Sequence, residues 1–321
     1  MPLSTTASEL DALLRTVAAV GGPLEIALAL AGAALLALAV VPAARAWLPR
    51  ALYATFALLA AGEAVLGWMH WRLWRIAEVV SPETGAVTGR VAVPLWVESE
   101  KLYVWALVLA GMALLVRRYR DELLPWLAGA VGLLALGASL TGSPFTDPLP
   151  GFLGQYRQYL SAMLSGVPQA AFGAFQGMEA SRQFYYNTWY MWVHPPLLFV
   201  AYGAFVVSFA AILLTIRHRH SSYESVAYGW ARLGYLPLTA GMLLGVPWAI
   251  MAWQGESWWW SGKVNMSIMM WLLYTAYLHG RLYLRRRGMW RWVVALAALS
   301  FVTLALTYLA TYVVPGAHSY A

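Results

Sequence analysis

The chain has 321 residues, of which 61% are hydrophobic and 11% are charged, and its formal net charge is +7. The charged side chains are too few to cover the surface of a water-soluble globule of this length. The composition therefore excludes a soluble fold and predicts an integral membrane protein. The absence of cysteine excludes disulfides, thiolate metal sites and cysteine nucleophiles, which leaves histidine, methionine, carboxylate or a porphyrin to hold a metal.

The N-terminal segment, residues 1–23, lacks the charged, apolar and small-residue order of a signal peptide. Residues 6–19 mix Glu9, Asp11 and Arg15 with leucine and valine, which predicts a short helix at the membrane interface. The later apolar runs are long enough to cross about 30 Å of hydrocarbon. We therefore predict an all-α, polytopic membrane protein with about eight transmembrane helices. These are residues 24–43, 52–71, 102–117, 124–141, 194–216, 231–252, 266–285 and 292–314.

Arginine is concentrated in the first, third, fifth and seventh connections between these helices. By the positive-inside rule these connections face the cytoplasm. The positive charge is thus explained by the orientation of the chain in membrane lipid, and it does not imply a nucleic-acid partner. Both termini and the long connections then lie on the outer face. The long connections are 72–101, 142–193 and 253–265, the second of which is long enough to fold over the outer surface as short amphipathic pieces. The whole chain, residues 1–321, is predicted to be one membrane domain.

The connection 253–265 contains an unusual group of tryptophans. Trp253, Trp258, Trp259 and Trp260 fall within eight positions between two membrane-length apolar segments. Such a group builds a flat aromatic wall that suits a planar, mostly apolar ligand with a metal at its centre. The alternative is the ordinary belt of tryptophan found at bilayer interfaces.

Two histidines are predicted to lie on the same face as the tryptophans. His194 begins the fifth predicted helix and His318 follows the eighth. Two imidazoles that approach a planar macrocycle from opposite faces form a bis-histidine haem site, in which the protein contributes axial ligands and burial. The alternative is that both are single interfacial histidines.

His279 differs because it lies about thirteen residues into the seventh predicted helix, roughly 20 Å below the outer surface. An ionisable group at that depth is a candidate for function. His70, His218 and His220 all lie at other depths, so a second haem ligand at this level would come from another subunit. Otherwise His279 acts alone, or it is a neutral histidine bonded to a neighbouring helix.

Glu63 is an acidic residue deep in a predicted span, and it shares a helix face with His70 seven residues on. A buried carboxylate and an outer histidine can form a proton path or a quinone-binding site. A structural glutamate held by hydrogen bonds is the alternative.

Several sequence elements together resemble one family of membrane proteins. In chain order they are Pro94-Leu-Trp96-Val-Glu98, Ser143-Pro-Phe145, His194-Pro-Pro, the connection 253–265 (the tryptophan loop), Tyr277-Leu-His279-Gly-Arg281 and Gly316-Ala-His318-Ser-Tyr320. The chain is similar to the haem-handling group that assembles c-type cytochromes, which includes CcsA, CcmF and CcmC. The resemblance covers the chain from about residue 94 onward.

The resemblance implies a role for each matched residue. His194 and His318 match the two haem ligands on the outer face, and Trp258 and Trp260 match tryptophans of the haem-binding loop. His279 matches a ligand to haem inside the membrane, whose second ligand comes in the CcsA system from a separate protein, CcsB. The resemblance thus implies haem b as cofactor, with apocytochrome c and a CcsB-like membrane subunit as partners. It also implies the bacterial cytoplasmic membrane, with the functional loops on the extracytoplasmic side.

The tryptophan loop departs from the family pattern Trp-Gly-x-x-Trp-x-Trp-Asp-Pro at three positions. Gln254 stands for the first tryptophan, Ser261 for the aspartate and Gly262 for the proline. Trp253 and Trp259 are additional indoles that can restore the aromatic wall, but the acid is absent.

The resemblance implies that the protein holds haem at the outer face and presents it for covalent attachment to two cysteine thiols of apocytochrome c. It would then be a component of a holocytochrome c synthase, or haem lyase. The alternative is a haem-binding subunit of a membrane electron-transfer complex, in which haem stays fixed as a carrier. A third hypothesis is a transporter with an interfacial tryptophan belt and no haem.

Overall fold

The computed structural model describes residues 3–218, 221–254 and 257–314. It is 85% helical, which confirms the all-α prediction. The ten α-helices are α1 (Leu3–Val40), α2 (Leu48–Ile76), α3 (Lys101–Arg117), α4 (Leu124–Gly137), α5 (Pro150–Leu164), α6 (Pro168–Ser181), α7 (Trp189–His218), α8 (Ser221–Ala252), α9 (Gly262–Leu284) and α10 (Trp290–Val313). One short hairpin, β1 (Glu78–Val80) with β2 (Val87–Arg90), follows α2.

Within the described ranges, seven helical segments are long and apolar enough to cross a membrane. They contain α1, α2, α3, α4, α7, α8 and α10, so the protein is a multi-pass membrane protein. Each of the eight predicted spans is helical, but α9, which corresponds to 266–285, is not among the seven. Its tyrosines, its histidine and its basic end make it less apolar than spans such as α4, α7 and α10.

The N-terminal region differs from the prediction of a short interfacial helix followed by a separate span. α1 runs without a break for 38 residues and contains Pro23. Its buried residues recur every three or four positions on both sides of this proline, from Leu10 and Val17 to Leu28 and Leu35. α1 packs along α2, and its stripe of buried residues also meets Phe145 and Gly132. This packing outweighs the lost hydrogen bond at the proline.

The chain forms two compact units. The N-terminal unit consists of residues 1–110 and 128–192, and the C-terminal unit consists of residues 111–127 and 193–321.

In the N-terminal unit, the connection between α4 and α7 forms the short helices α5 and α6, as predicted for this region. α5 buries one face, which includes Tyr156 and Tyr159. The Tyr156 hydroxyl donates to the carbonyl of Glu78 at 3.1 Å, and the Tyr159 hydroxyl accepts from the amide of Val80 at 2.7 Å. These bonds attach the hairpin to α5.

In the C-terminal unit, α9 packs against both α8 and α10. The indole of Trp271 on α9 donates to the hydroxyl of Thr239 on α8 at 3.0 Å, and the hydroxyls of Tyr235 and Thr275 lie 2.7 Å apart. These polar contacts fix α9 against α8 directly beside the site described below.

Candidate functional site

A cavity of about 450 Å³ lies within the C-terminal unit, which is within the size range of small-molecule and cofactor sites. α7, α8, the first half of α9 and the short 3₁₀ turn Trp258–Trp260 supply its lining. The lining is mostly leucine, valine, methionine and tryptophan, with few polar groups. The cavity therefore suits a large apolar ligand that a small number of polar groups hold in place.

His194 is one of these polar groups and lies in the second turn of α7. Its Nδ1 lies 2.6 Å from the carbonyl oxygen of Gly241 on α8. A carbonyl only accepts, so Nδ1 carries the proton and the neutral ring keeps the lone pair on Nε2. This is the arrangement in which histidine binds a metal while a backbone carbonyl orients the ring.

Glycine on α8 makes this geometry possible. A Cβ atom at Gly245 would lie 2.9 Å from Cε1 of His194, and one at Gly241 would lie 2.9 Å from Cδ2 of Leu198. Both positions are too close for a side chain, so the two glycines let α8 approach the imidazole. The ring of Trp248 stacks near His194 at 6.3 Å between centroids. The imidazole is therefore held by a helix backbone and an indole.

The four predicted tryptophans occupy different places. Trp258 and Trp259 line the cavity and meet edge to face at 5.6 Å. Trp253 packs edge to face on Trp248 at 4.7 Å and so supports a ring that lines the cavity. Trp260 is 73% exposed and lies outside the lining. Trp248 was not singled out in the sequence, because it lies within the apolar run 231–252.

Ser261 begins α9. Its hydroxyl accepts from the amide of Val264 at 3.4 Å, which makes it the N-cap of the helix. Serine and aspartate are both among the most favourable N-cap residues. A serine at this position therefore caps the helix as an aspartate would, but without a negative charge.

Lys263, in the first turn of α9, is a site residue that the sequence did not single out. It lines the cavity and precedes the predicted span 266–285. Burial lowers the pKa of Lys263 to about 8, because apolar surroundings disfavour the charged ammonium. Its ammonium makes no hydrogen bond or ion pair with the described part of the chain.

The other two predicted haem ligands lie elsewhere. His279 is exposed on α9, where its Nδ1 lies 2.9 Å from the carbonyl oxygen of Thr275 one turn earlier, and it does not line the cavity. His318 lies outside the described residues.

A second group of ionisable residues is buried in the N-terminal unit. Nε2 of His70 lies 2.7 Å from Oε1 of Glu100, and Nδ1 of His70 lies 2.8 Å from the carbonyl oxygen of Val93. Among the described residues, the buried Oε2 atoms of Glu63 and Glu100 have no hydrogen-bond partner. The described residues contain no histidine and acid cluster that could hold a metal. Glu100 was missed because it falls just before the predicted span 102–117.

Comparison with known proteins places these features in a family. The family of cytochrome C assembly proteins matches residues 95–318, which is more than half of the chain. The chain belongs to this family. The match includes His194, the tryptophan loop, His279 and His318, and it confirms the resemblance seen from about residue 94 onward.

Known members of the cytochrome c assembly family share parts of the sequence. The chain is 29% identical to the cytochrome c-type biogenesis protein CcmF of Haemophilus influenzae over 224 residues, which are 66% of this chain and 30% of that protein. It is 26% identical to CcmF of Escherichia coli over 72% of this chain and 34% of that protein. It is 36% identical to the cytochrome c biogenesis protein CcsA of Gloeobacter violaceus over 30% of this chain and 28% of that protein. The chain thus spans about a third of the length of these relatives. No solved structure matches it.

The N-cap at Ser261 generates a prediction about stability. Replacing Ser261 by Ala should lower the free energy of unfolding by about 1 kcal/mol, because the amide of Val264 loses its acceptor. Ser261→Asp should keep the cap and gain from the positive end of the helix dipole. Thermal unfolding of the detergent-solubilised protein, followed by helical circular dichroism, measures both changes. Ser257→Ala, the same change in an exposed position of the neighbouring turn, is the control. Equal destabilisation by Ala and Asp would contradict the cap.

Proposed function

We propose that this protein takes part in the maturation of c-type cytochromes by holding haem b in the cavity of the C-terminal unit. The observation that carries the proposal is the bond from His194 Nδ1 to the Gly241 carbonyl, which leaves Nε2 as a metal ligand. The apolar lining and the indoles of Trp258 and Trp259 support it, because they suit the faces and edges of a porphyrin.

His318 is the proposed second axial ligand. α10 ends at Val313. The side chain of Val314 lies against Gly262, so close that a Cβ atom added to this glycine would be only 2.8 Å from it. The described end of the chain therefore packs on the first turn of α9, beside the cavity. His318 lies outside the described residues, four positions after Val314, and four residues span at most about 14 Å. This short separation supports a position of His318 near the tryptophan turn.

The haem supplies the vinyl groups and the redox-active iron, and the cysteine thiols of an apocytochrome supply the sulfur. The chain contributes position and environment, since the lining is mostly apolar and His194 orients the ligand. We place the site on the extracytoplasmic side of the bacterial cytoplasmic membrane. The distribution of arginine over the other connections supports this orientation.

His279 is the proposed ligand of a second haem that a partner subunit completes. Its side chain is exposed on α9, and its Nδ1 lies near a carbonyl of its own helix, so Nε2 is available at the surface of the chain. A CcsB-like membrane protein with a histidine at the same depth would provide the opposite ligand.

A fixed carrier of electrons is the second candidate function. The observation that favours it is Ser261, which keeps the helix cap but lacks the acid of the family loop. In a carrier the haem would be stoichiometric and resistant to exchange, whereas in a synthase it would be substoichiometric and lost to an apocytochrome.

Replacing His194 by Ala should reduce bound haem to a small fraction of the wild-type content, because the axial ligand is removed. Imidazole added to the purified variant should restore part of the low-spin spectrum by occupying the space of the missing ring. His218→Ala, at the exposed end of α7, is the matched control and should retain wild-type haem. Wild-type haem content and spectrum in the His194 variant would rule out the axial role.

The second site predicts dependence on a partner. In the protein purified alone, the second haem, at His279, should be five-coordinate or absent. Co-purification with the partner subunit should give a six-coordinate spectrum. His279→Ala should abolish that change without lowering stability, because the side chain is exposed. Leu282→Ala, an exposed neighbour on α9, should leave it intact. A six-coordinate inner haem in the isolated chain would mean that another residue supplies the ligand.

Co-expression tests the function itself. The chain is expressed with an apocytochrome c and the partner subunit in a host that lacks its own maturation system. Covalently attached haem on the apocytochrome, absent with a cysteine-free apocytochrome, is the expected result. If no haem is attached while the purified chain still carries tightly bound haem, the carrier replaces the synthase.

A further inference from the structure

The cavity contains a cation for which the described chain supplies no anion. Lys263 lines the cavity beside Trp259 and Val264, and its ammonium makes no ion pair or hydrogen bond with the described residues. A charged amine in apolar surroundings is costly unless a negative group accompanies it. A ligand that brings its own anion would therefore be favoured at this position.

The acidic residues of the C-terminal unit are few, and those described are engaged elsewhere or exposed. Glu224 accepts from Arg281 at 2.7 Å, and Asp121 lies 3.5 Å from Arg117. Glu122 is exposed beside Asp121. Glu256 is the remaining acid of this unit and lies outside the described residues.

The positions of His194 and Lys263 define the chemistry of the ligand. Both line the same apolar cavity, one as a neutral imidazole with a free Nε2 and the other as a cation. An apolar lining with one metal ligand and one cation fits an apolar, metal-containing ring that carries a carboxylate at its edge. We infer that Lys263 binds a propionate carboxylate of the tetrapyrrole, an inference that rests on the proposed function.

This contact orients the ring as well as holding it. In haem b the two vinyl groups lie on the edge opposite the two propionates. A propionate held at the first turn of α9 therefore directs the vinyl edge away from that turn. Lys263 then restricts the rotation of the ring to positions in which the vinyl edge points away from this turn.

Iron-free porphyrins separate this contact from the axial ligand. The probes are protoporphyrin IX and its dimethyl ester, which have the same ring but differ in the charge of the propionates. Binding to the purified full chain in neutral detergent is followed by quenching of tryptophan fluorescence. The wild type should bind the free acid about tenfold or more tightly than the ester, as expected for a charge-assisted hydrogen bond.

Lys263→Met should lose this preference, because its affinity for the acid falls while its affinity for the ester is unchanged. Lys263→Arg should keep it. Lys101→Met, the same change at the other lysine of the chain, should also keep it. Unchanged ester affinity shows that the Met variant is folded. Glu256→Gln should retain the preference for the acid and should raise acid affinity if Glu256 competes for the ammonium.

Two results would overturn the inference. One is an equal affinity of the wild type for the acid and the ester. If haem binding at His194 were intact in that case, the proposed function would still stand. The other is a Lys263→Met variant that retains the wild-type preference for the acid. If the wild type bound neither porphyrin nor haem, the proposed function would fall together with the inference.

Discussion

The hydrogen bond between Nδ1 of His194 and the carbonyl of Gly241 is the contact on which the candidate site depends. It joins α7 to α8, and it determines which nitrogen of the imidazole is free. It requires a close approach of two helices, which the glycines at 241 and 245 permit. A neutral histidine held in this way is already oriented to bind a metal, which lowers the ordering cost of binding at this residue.

The sequence indicated candidate site residues, but it did not indicate the contacts that those residues make. His194 and the tryptophan loop are visible because histidine and clustered tryptophan are rare within such an apolar chain. The partner of His194 is a backbone carbonyl 47 positions away, which no local pattern reveals. The position of Lys263 in the cavity lining was missed for the same reason, since the sequence does not show which residues of α7 and α8 lie near the start of α9. Trp248 was hidden inside an apolar run in which every residue looks alike.

The helices themselves were predicted well, because a run of apolar residues long enough to cross a bilayer has few other structures available. What hydropathy missed lies at the ends of the runs. Glu100 does fall in the predicted connection 72–101, directly before α3, but it is buried there and pairs with His70. Hydropathy cannot detect that an acid beyond a span is enclosed by tertiary packing. The sequence analysis divided α1 at Pro23, because the residues before it include charged side chains and those after it are almost all apolar. Hydropathy does not show that both parts bury residues along the same face of one helix.

The unbroken length of α1 has a structural consequence for the N-terminal unit. A helix of 38 residues is about 57 Å long, almost twice the thickness of the hydrocarbon layer. Asp11 on α1 pairs with Arg157 on α5 at 3.1 Å, so α1 also reaches the layer formed by α5, α6 and the hairpin. One continuous helix thus joins this layer to the membrane-embedded helices. A binding partner that docks on the layer would therefore contact the same helix that packs along α2, with no loop between the two ends.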